Sequence, residues 1–216
     1  MLEVRSIPGL HQVVVDYAIR NVKMQALVLD LGAWSGAMAE RLQDAGFQVV
    51  AGDIQKEAFQ ASAEFVRIDL NEPDFHKKLS GQFDLITCVE VIEHLENPIA
   101  LLKNIRLLLK IGGLALITTP NVQNVAARLK FLIAGTIRTM DEKSSEHITP
   151  IFYDLFVRQY LPRAHLRLVE YSVHPEGEYP LTARRYFIPI FKCLGRFLRG
   201  PALSGDSIIF VLKRDQ

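Results

Sequence analysis

The chain has 216 residues, 49% of them hydrophobic, which suffices for one α/β core and argues against a disordered chain. A net charge of +1 and only two cysteines exclude a generally polyanion-binding protein and a disulfide-stapled scaffold. No apolar run approaches the roughly 20 residues of a membrane span. Met1 to Leu10 carries Glu3, Arg5, Pro8 and Gly9, which is no signal-peptide pattern, so a cytoplasmic protein is expected.

Leu10 to Lys23 reads as a helix, with Val13, Tyr17, Ile19 and Val22 among its apolar positions. Ala26 to Leu31 is an apolar run of strand length, suited to a strand buried on both faces. It ends in Asp30, then Gly32 and Gly36, and Ala37 to Leu42 continues as a helix. A strand passing through a glycine turn into a helix start lets a ligand approach the backbone and meet free N–H groups. Phe47 to Ala51 is a second strand, ending at Asp53, about twenty residues past the turn, where dinucleotide folds place a ribose-binding acid. Asp53 could instead cap a helix beginning near Gln55. Glu64 to Ile68 is a third strand, ending in Asp69, which also suits a turn before Pro73.

Phe83 to Cys88 is the fourth strand, and it leads into Glu90-Val91-Ile92-Glu93-His94. Cys88 lies inside it and reads as a reduced core thiol. Leu95 to Lys110 is an amphipathic helix started by Asn97-Pro98 and ended by Gly112-Gly113, and Leu114 to Thr118 is the fifth strand. Alternating strands and helices predict a parallel sheet covered on both faces, with ligands at the strands' carboxyl ends. Residues 121–150 read as a lid: a helix from Val122 to Ala134, then a long polar loop over 135–150 containing His147. Thr149 and Pro150 open another helix; Leu166 to Val173 and Ser207 to Leu212 are the sixth and seventh strands.

Residues 184–216 hold seven Lys or Arg against Asp206 and Asp215, so this tail is +5 and the remainder −4. Within it, 184–200 reads as a basic amphipathic helical insertion, with Phe187, Ile190, Phe191, Leu194, Phe197 and Leu198 on one face and Arg185, Lys192, Arg196 and Arg199 on the other. Residues 184–199 suit either a membrane interface or docking on the chain's own domain or a second subunit, as in a homodimer.

Val28-Leu-Asp-Leu-Gly-Ala-Trp-Ser-Gly36, Asp53, Asp69-Leu70, Phe83-Asp-Leu-Ile86, Glu90-Val-Ile-Glu-His94 and Gly112-Gly-Leu-Ala-Leu-Ile-Thr-Thr-Pro-Asn121 follow one another in the first 120 residues or so. In that order and spacing they resemble the class I S-adenosylmethionine (SAM)-dependent methyltransferases, above all the branch of the ubiquinone-biosynthesis O-methyltransferases. The resemblance implies a single domain over 1–216 with a Rossmann-like, seven-stranded, mostly parallel sheet, helices on both faces and an antiparallel last strand. It implies SAM as cofactor, held by Asp30, Gly32, Trp34, Gly36, Asp53, Ile54, Asp69, Leu70, Val89 and Glu90. The family usually has glycine where this chain has Trp34, which either covers the cofactor or plugs the space. The acceptor would be a small or lipid-linked molecule, not a nucleic acid, since the fourth strand is followed by Cys88-Val89-Glu90 rather than by a nucleic-acid methyltransferase motif.

For a hydroxyl acceptor, methyl transfer needs alignment, exclusion of water and removal of a proton. His94 is the candidate base, with Glu93 and His147 as further catalytic candidates. In some relatives the residues matching Glu90, Glu93 and His94 hold a divalent metal; here no metal is expected. The alternative is a methyltransferase-fold scaffold that has lost catalysis, suggested by Trp34.

Overall fold

The computed structural model describes residues 2–177 and 188–215. Seven strands form one sheet: β1 (Leu27–Leu31), β2 (Gln48–Asp53), β3 (Glu64–Arg67), β4 (Phe83–Val89), β5 (Leu109–Pro120), β6 (Arg167–His174) and β7 (Ser207–Lys213). Their spatial order is β3-β2-β1-β4-β5-β7-β6. β1 to β5 are mutually parallel, and β7 is inserted antiparallel between β5 and β6. Chain direction across the sheet reverses between β1 and β4, so the loops after these two strands diverge and open a crevice.

Burial alternates along the strands as period-2 geometry demands. Leu29 and Leu31 of β1 face one core with Ile86, Ile117 and Phe210, covered by α3 (Pro98–Leu108) and the helix from Tyr153 to Ala164. Val28 faces the other, with Leu85, Leu116 and Val211, covered by α1 (Leu10–Asn21) and α2 (Ala37–Asp44). Both faces of the central strands are thus dry, which explains their near-continuous apolar sequence. Cys88 is a buried member of the first core.

Helix starts follow their caps. Asn97 accepts a hydrogen bond from the Ala100 N–H (3.0 Å) and Pro98 occupies the first turn of α3. Asn124 accepts from Ala127 (2.8 Å), so α4 (Val125–Ala134) begins three residues later than its apolar pattern suggested. Three expectations need correction. Gly112-Gly113 does not end a helix before a short strand; β5 already starts at Leu109, pairing with Phe83, and residues 110–113 bulge out before Leu114 pairs with Leu85. Glycine permits that kink within a strand. Thr149 and Pro150 do not open a helix, because Thr149 is spent on Leu95 (Oγ1 to O, 2.6 Å) and Glu93 (N to O, 2.9 Å). The helix starts instead as α5 (Tyr153–Leu155), widens into a π-helical turn (Phe156–Tyr160) and ends as α6 (Leu161–Ala164). Near Gln55 there is only a 3₁₀ turn, Lys56–Ala58.

Of the expected helix 184–200, residues 184–187 lie outside the described residues. α7 (Ile188–Gly195) packs on α4, with Phe191 buried against Val125 and Ala126, and Phe197 lies beyond its end. Among the described residues no helix is long and apolar enough to cross a membrane.

Candidate active site

A cleft of about 980 Å³ lies at the carboxyl ends of β1, β2 and β4, within the size range of small-molecule sites. The glycine turn forms one wall. Gly32 (φ +75°) donates to the Gly52 carbonyl at 2.8 Å, which ties the turn to β2, and a side chain on Gly32 would collide with Val91. Gly36 (φ +87°) begins α2, and a Cβ there would lie 2.5 Å from that of Ala61. Backbone left-handedness and close approach are therefore both required at these two positions.

Trp34 occupies the same turn with φ +45°. It is one of the residues that line the cleft. Its N–H donates to Asp53 Oδ2 (2.8 Å), and the Gln55 N–H donates to Asp53 Oδ1 (2.8 Å). Asp53 thus fixes the turn and the chain after β2 together. Each carboxylate oxygen keeps a second lone pair, so the two amides leave it able to accept from a ligand hydroxyl. Asp69 makes the expected turn, accepting from the Asn71 N–H (2.9 Å), and still lines the cleft with Ile54, Leu70 and Val89.

Asp30 is almost fully buried and accepts a hydrogen bond from Thr87 Oγ1 (2.8 Å). Burial raises its carboxyl to about 7, against the opposing pull of Thr87 and with a further push from Asp53. An acid held at that cost beside the glycine turn is suited to a cationic ligand group, whose charge would compensate it.

β4 ends at Val89 and is followed by Glu90, at φ +54°. Its carboxylate accepts from Thr118 Oγ1 (2.8 Å). A 3₁₀ turn over Ile92–His94 buries Glu93 completely beneath the cleft. Burial raises both Glu90 and Glu93, and Glu90 beside it raises Glu93 further, well above the ordinary carboxylate range. His94 Nδ1 lies 3.0 Å from the Glu146 carbonyl oxygen, which only accepts. The proton therefore sits on Nδ1, and the Nε2 lone pair is left for another partner. Burial lowers the His94 pKa, aided by His147, so the imidazole is neutral at pH 7.

The 121–150 segment reaches this end of the cleft. Ile148 and Thr149 N–H groups both donate to the Glu93 carbonyl at 2.9 Å. His147 Nδ1 is fixed by the Thr139 carbonyl (2.7 Å), and its ring stands edge-on to His94 with centroids 4.7 Å apart. Arg138 pairs with Asp206 at 2.6 Å, almost out of solvent, joining the segment to the start of β7. The carboxyl of Glu93 and the imidazoles of His94 and His147 lie within 4.8 Å of one another, a donor set adequate for a divalent metal. Glu90, which matches a metal ligand of some relatives, accepts instead from Thr118.

Every sequence-derived candidate except Gly36 lines this one cleft, and Gly36 sits directly behind its wall. Reading the sequence missed Arg5, His11, Thr139, Glu146, Asp206 and Ser207, which also line it. Only Asp206, an acid just before a strand, carried any local signal; the others arrive by tertiary folding.

A family model described as a methyltransferase domain matches residues 17–170. The chain is 28% identical over 173 residues to a ubiquinone biosynthesis O-methyltransferase of Xanthomonas campestris pv. campestris (strain B100), covering 76% of this chain and 72% of that one. Among solved structures it is similar to a SAM dependent methyltransferase from Archaeoglobus fulgidus, with a TM-score of 0.64 and 19% identity over 94% of each chain. It is also similar to the magnesium protoporphyrin IX methyltransferase of Synechocystis PCC 6803 with bound SAH, with a TM-score of 0.60 and 16% identity over 94% of this chain and 81% of that one. These two likenesses speak to the fold.

Proposed function

The chain belongs to the methyltransferase-domain family, and from that premise we propose that it uses SAM to methylate a hydroxyl oxygen of a small or lipid-linked acceptor. The observation that carries the oxygen chemistry is His94: neutral, fixed through Nδ1 and lining the cleft with Nε2 available. The O-methyltransferase name of the relative supports the same choice.

SAM supplies an electrophilic methyl on a sulfonium. Asp53 would accept from the ribose hydroxyls, Asp69 and Leu70 would border the adenine, and Gly32 would let the methionyl part lie close to the backbone. Asp30 would pair with the cofactor's ammonium, which would lower its pKa and repay part of its desolvation. Val89 and Glu90 would border the sulfur. When bound, the cofactor would give its methyl to the acceptor oxygen and leave as neutral S-adenosylhomocysteine, while His94 Nε2 would take the proton of the acceptor hydroxyl. Glu93, buried beside His94, and His147, edge-on to His94, would bound the acceptor site. If Glu93, His94 and His147 held a divalent metal, it would acidify the acceptor hydroxyl; the base reading does not require it.

Residues 121–150 act as the lid that excludes water. The end of α4 leaves Leu132 and Ile133 about 80% exposed beside Phe131, with Phe197 equally exposed nearby in sequence to α7. These apolar groups, together with the basic residues of 184–199, support a lipid-linked acceptor taken from a membrane surface. An inactive scaffold is the weaker reading, since a cleft of about 980 Å³ remains with Trp34 in its lining. The deciding experiment offers methyl-labelled SAM and a panel of phenolic, catecholic and amine acceptors. Label transferred only to amines would overturn O-methylation; no SAM binding at all would restore the scaffold.

A further inference from the structure

Trp34 breaks the glycine pattern at φ +45°, a conformation that strains a bulky residue. Such strain persists where something depends on it. What touches the indole is Arg5, whose guanidinium lies 3.5 Å from the ring centroid. The N-terminal segment that carries Arg5 is tied at two points. Ser35 Oγ donates to the Glu3 carbonyl (2.6 Å), and His174 Nε2 bonds the Pro8 carbonyl (2.8 Å). Arg5 also meets Glu3 (Nε to Oε1, 3.3 Å), a pair exposed enough to be weak.

The charge balance of the cleft gives the arrangement a purpose. Eight acids line it (Glu3, Asp30, Asp53, Asp69, Glu90, Glu93, Glu146 and Asp206). Among the described lining residues, Arg5 is the sole Lys or Arg. His11, also in the lining, is driven to about 4 by burial and by Arg41, so it carries no charge at neutral pH. A cofactor ending in an amino acid brings a carboxylate into this acidic surround, and that group requires a cation.

We propose that Arg5, held over the ring of Trp34, is the carboxylate-recognising group for the amino-acid end of the cofactor, and that Trp34 replaces glycine in the turn to position it. The assignment rests on the SAM reading above. Stacking leaves the edge of the guanidinium, which bears its N–H donors, open for a bidentate carboxylate contact. Trp34 is then a positioning residue rather than a plug.

The test compares two ligands by titration calorimetry. S-adenosylhomocysteine has the carboxylate; 5′-methylthioadenosine keeps the nucleoside and sulfur but lacks the amino-acid end. Arg5→Ala is expected to weaken S-adenosylhomocysteine about tenfold or more, as the loss of a charge-assisted contact should. Its affinity for methylthioadenosine should stay within about twofold of wild type. Trp34→Gly, compatible with the turn, should give the same ligand-selective loss, and the double variant should be no worse than Arg5→Ala alone. Arg5→Lys, keeping charge without the planar stack, should fall between. Equal losses for the two ligands, or undiminished S-adenosylhomocysteine binding by Arg5→Ala, overturn the carboxylate assignment alone. Wild-type protein that takes up neither ligand overturns the cofactor reading and the assignment with it.

Discussion

His94 and Asp30 are two residues whose environments set their protonation in useful directions. His94 has its Nδ1 proton committed to Glu146 and its pKa lowered by burial, so Nε2 is ready as a base at neutral pH. His94→Gln keeps a polar side chain but removes the base. It should lower kcat about a hundredfold or more, the usual scale of general-base loss, while calorimetric affinity for S-adenosylhomocysteine stays near wild type. The acid limb of the wild-type kcat profile should fall below the ordinary histidine value, about 6.5. If chelator abolishes turnover and added divalent metal restores it, Glu93, His94 and His147 hold a metal and the base role is lost; unchanged turnover is expected.

Asp30 makes a stability prediction with a definite sign. Its carboxyl rises from 3.8 to about 7 on folding. Between those values the native state holds a proton that the unfolded chain has released. Stability of the free protein therefore falls as pH rises through that window. Asp30→Asn removes the penalty and can still accept from Thr87. It should unfold at higher denaturant than wild type at pH 8, by on the order of 3 kcal/mol, with the gap closing towards pH 4. The same variant should bind SAM poorly, because the cation's partner is gone.

The segment over 121–150 is the element on which acceptor binding turns. Among the ties that hold it to the rest of the domain are Arg138 to Asp206, the Glu146 carbonyl to His94, and the Ile148 and Thr149 amides to Glu93. The first is a nearly dry ion pair, so losing Arg138 removes a close counter-charge from buried Asp206. Arg138→Ala should destabilise the protein by about 3 kcal/mol, the scale of a broken buried pair, measured as a lower Tm. It should also raise KM for the acceptor while SAM affinity holds. Unchanged stability would mean that Asp206 is satisfied without Arg138. Asn121 anchors the start of this segment, donating to the carbonyls of Ala202, Ser204 and Gly205. It explains why the chain after β5 leaves the sheet where it does.

Across the described residues, two apolar cores flank the sheet, and large apolar groups stand exposed at the end of α4 and at Phe197 beyond α7. Replacing Phe131, Leu132 and Ile133 together with Ser removes surface apolar groups that contribute little to the core. Flotation with vesicles containing anionic lipid should carry the wild type and leave the triple variant behind, with unchanged Tm. Equal flotation of the two would remove this face from membrane contact.

Much of this architecture was legible in the chain itself. Strand-length apolar runs ending in Asp30, Asp53, Asp69 and Glu90 announced both the parallel sheet and its ligand-binding edge, because burial on two faces and the glycine turn are demands met by neighbouring residues. Boundaries set by caps or long-range bonds were less legible: Thr149 reads as a helix start until its hydrogen bonds to Leu95 and Glu93 are seen. Arg5 was invisible as a site residue, since its partner is twenty-nine positions away, and so was Arg138 on Asp206; His147 was legible as a loop histidine, but its edge-on contact with His94 was not. Sequence determines what each segment prefers locally, through periodicity, propensity and turn chemistry. Only the folded chain decides which distant segments share one cleft, because that depends on how the sheet orders its strands and where the loops cross it.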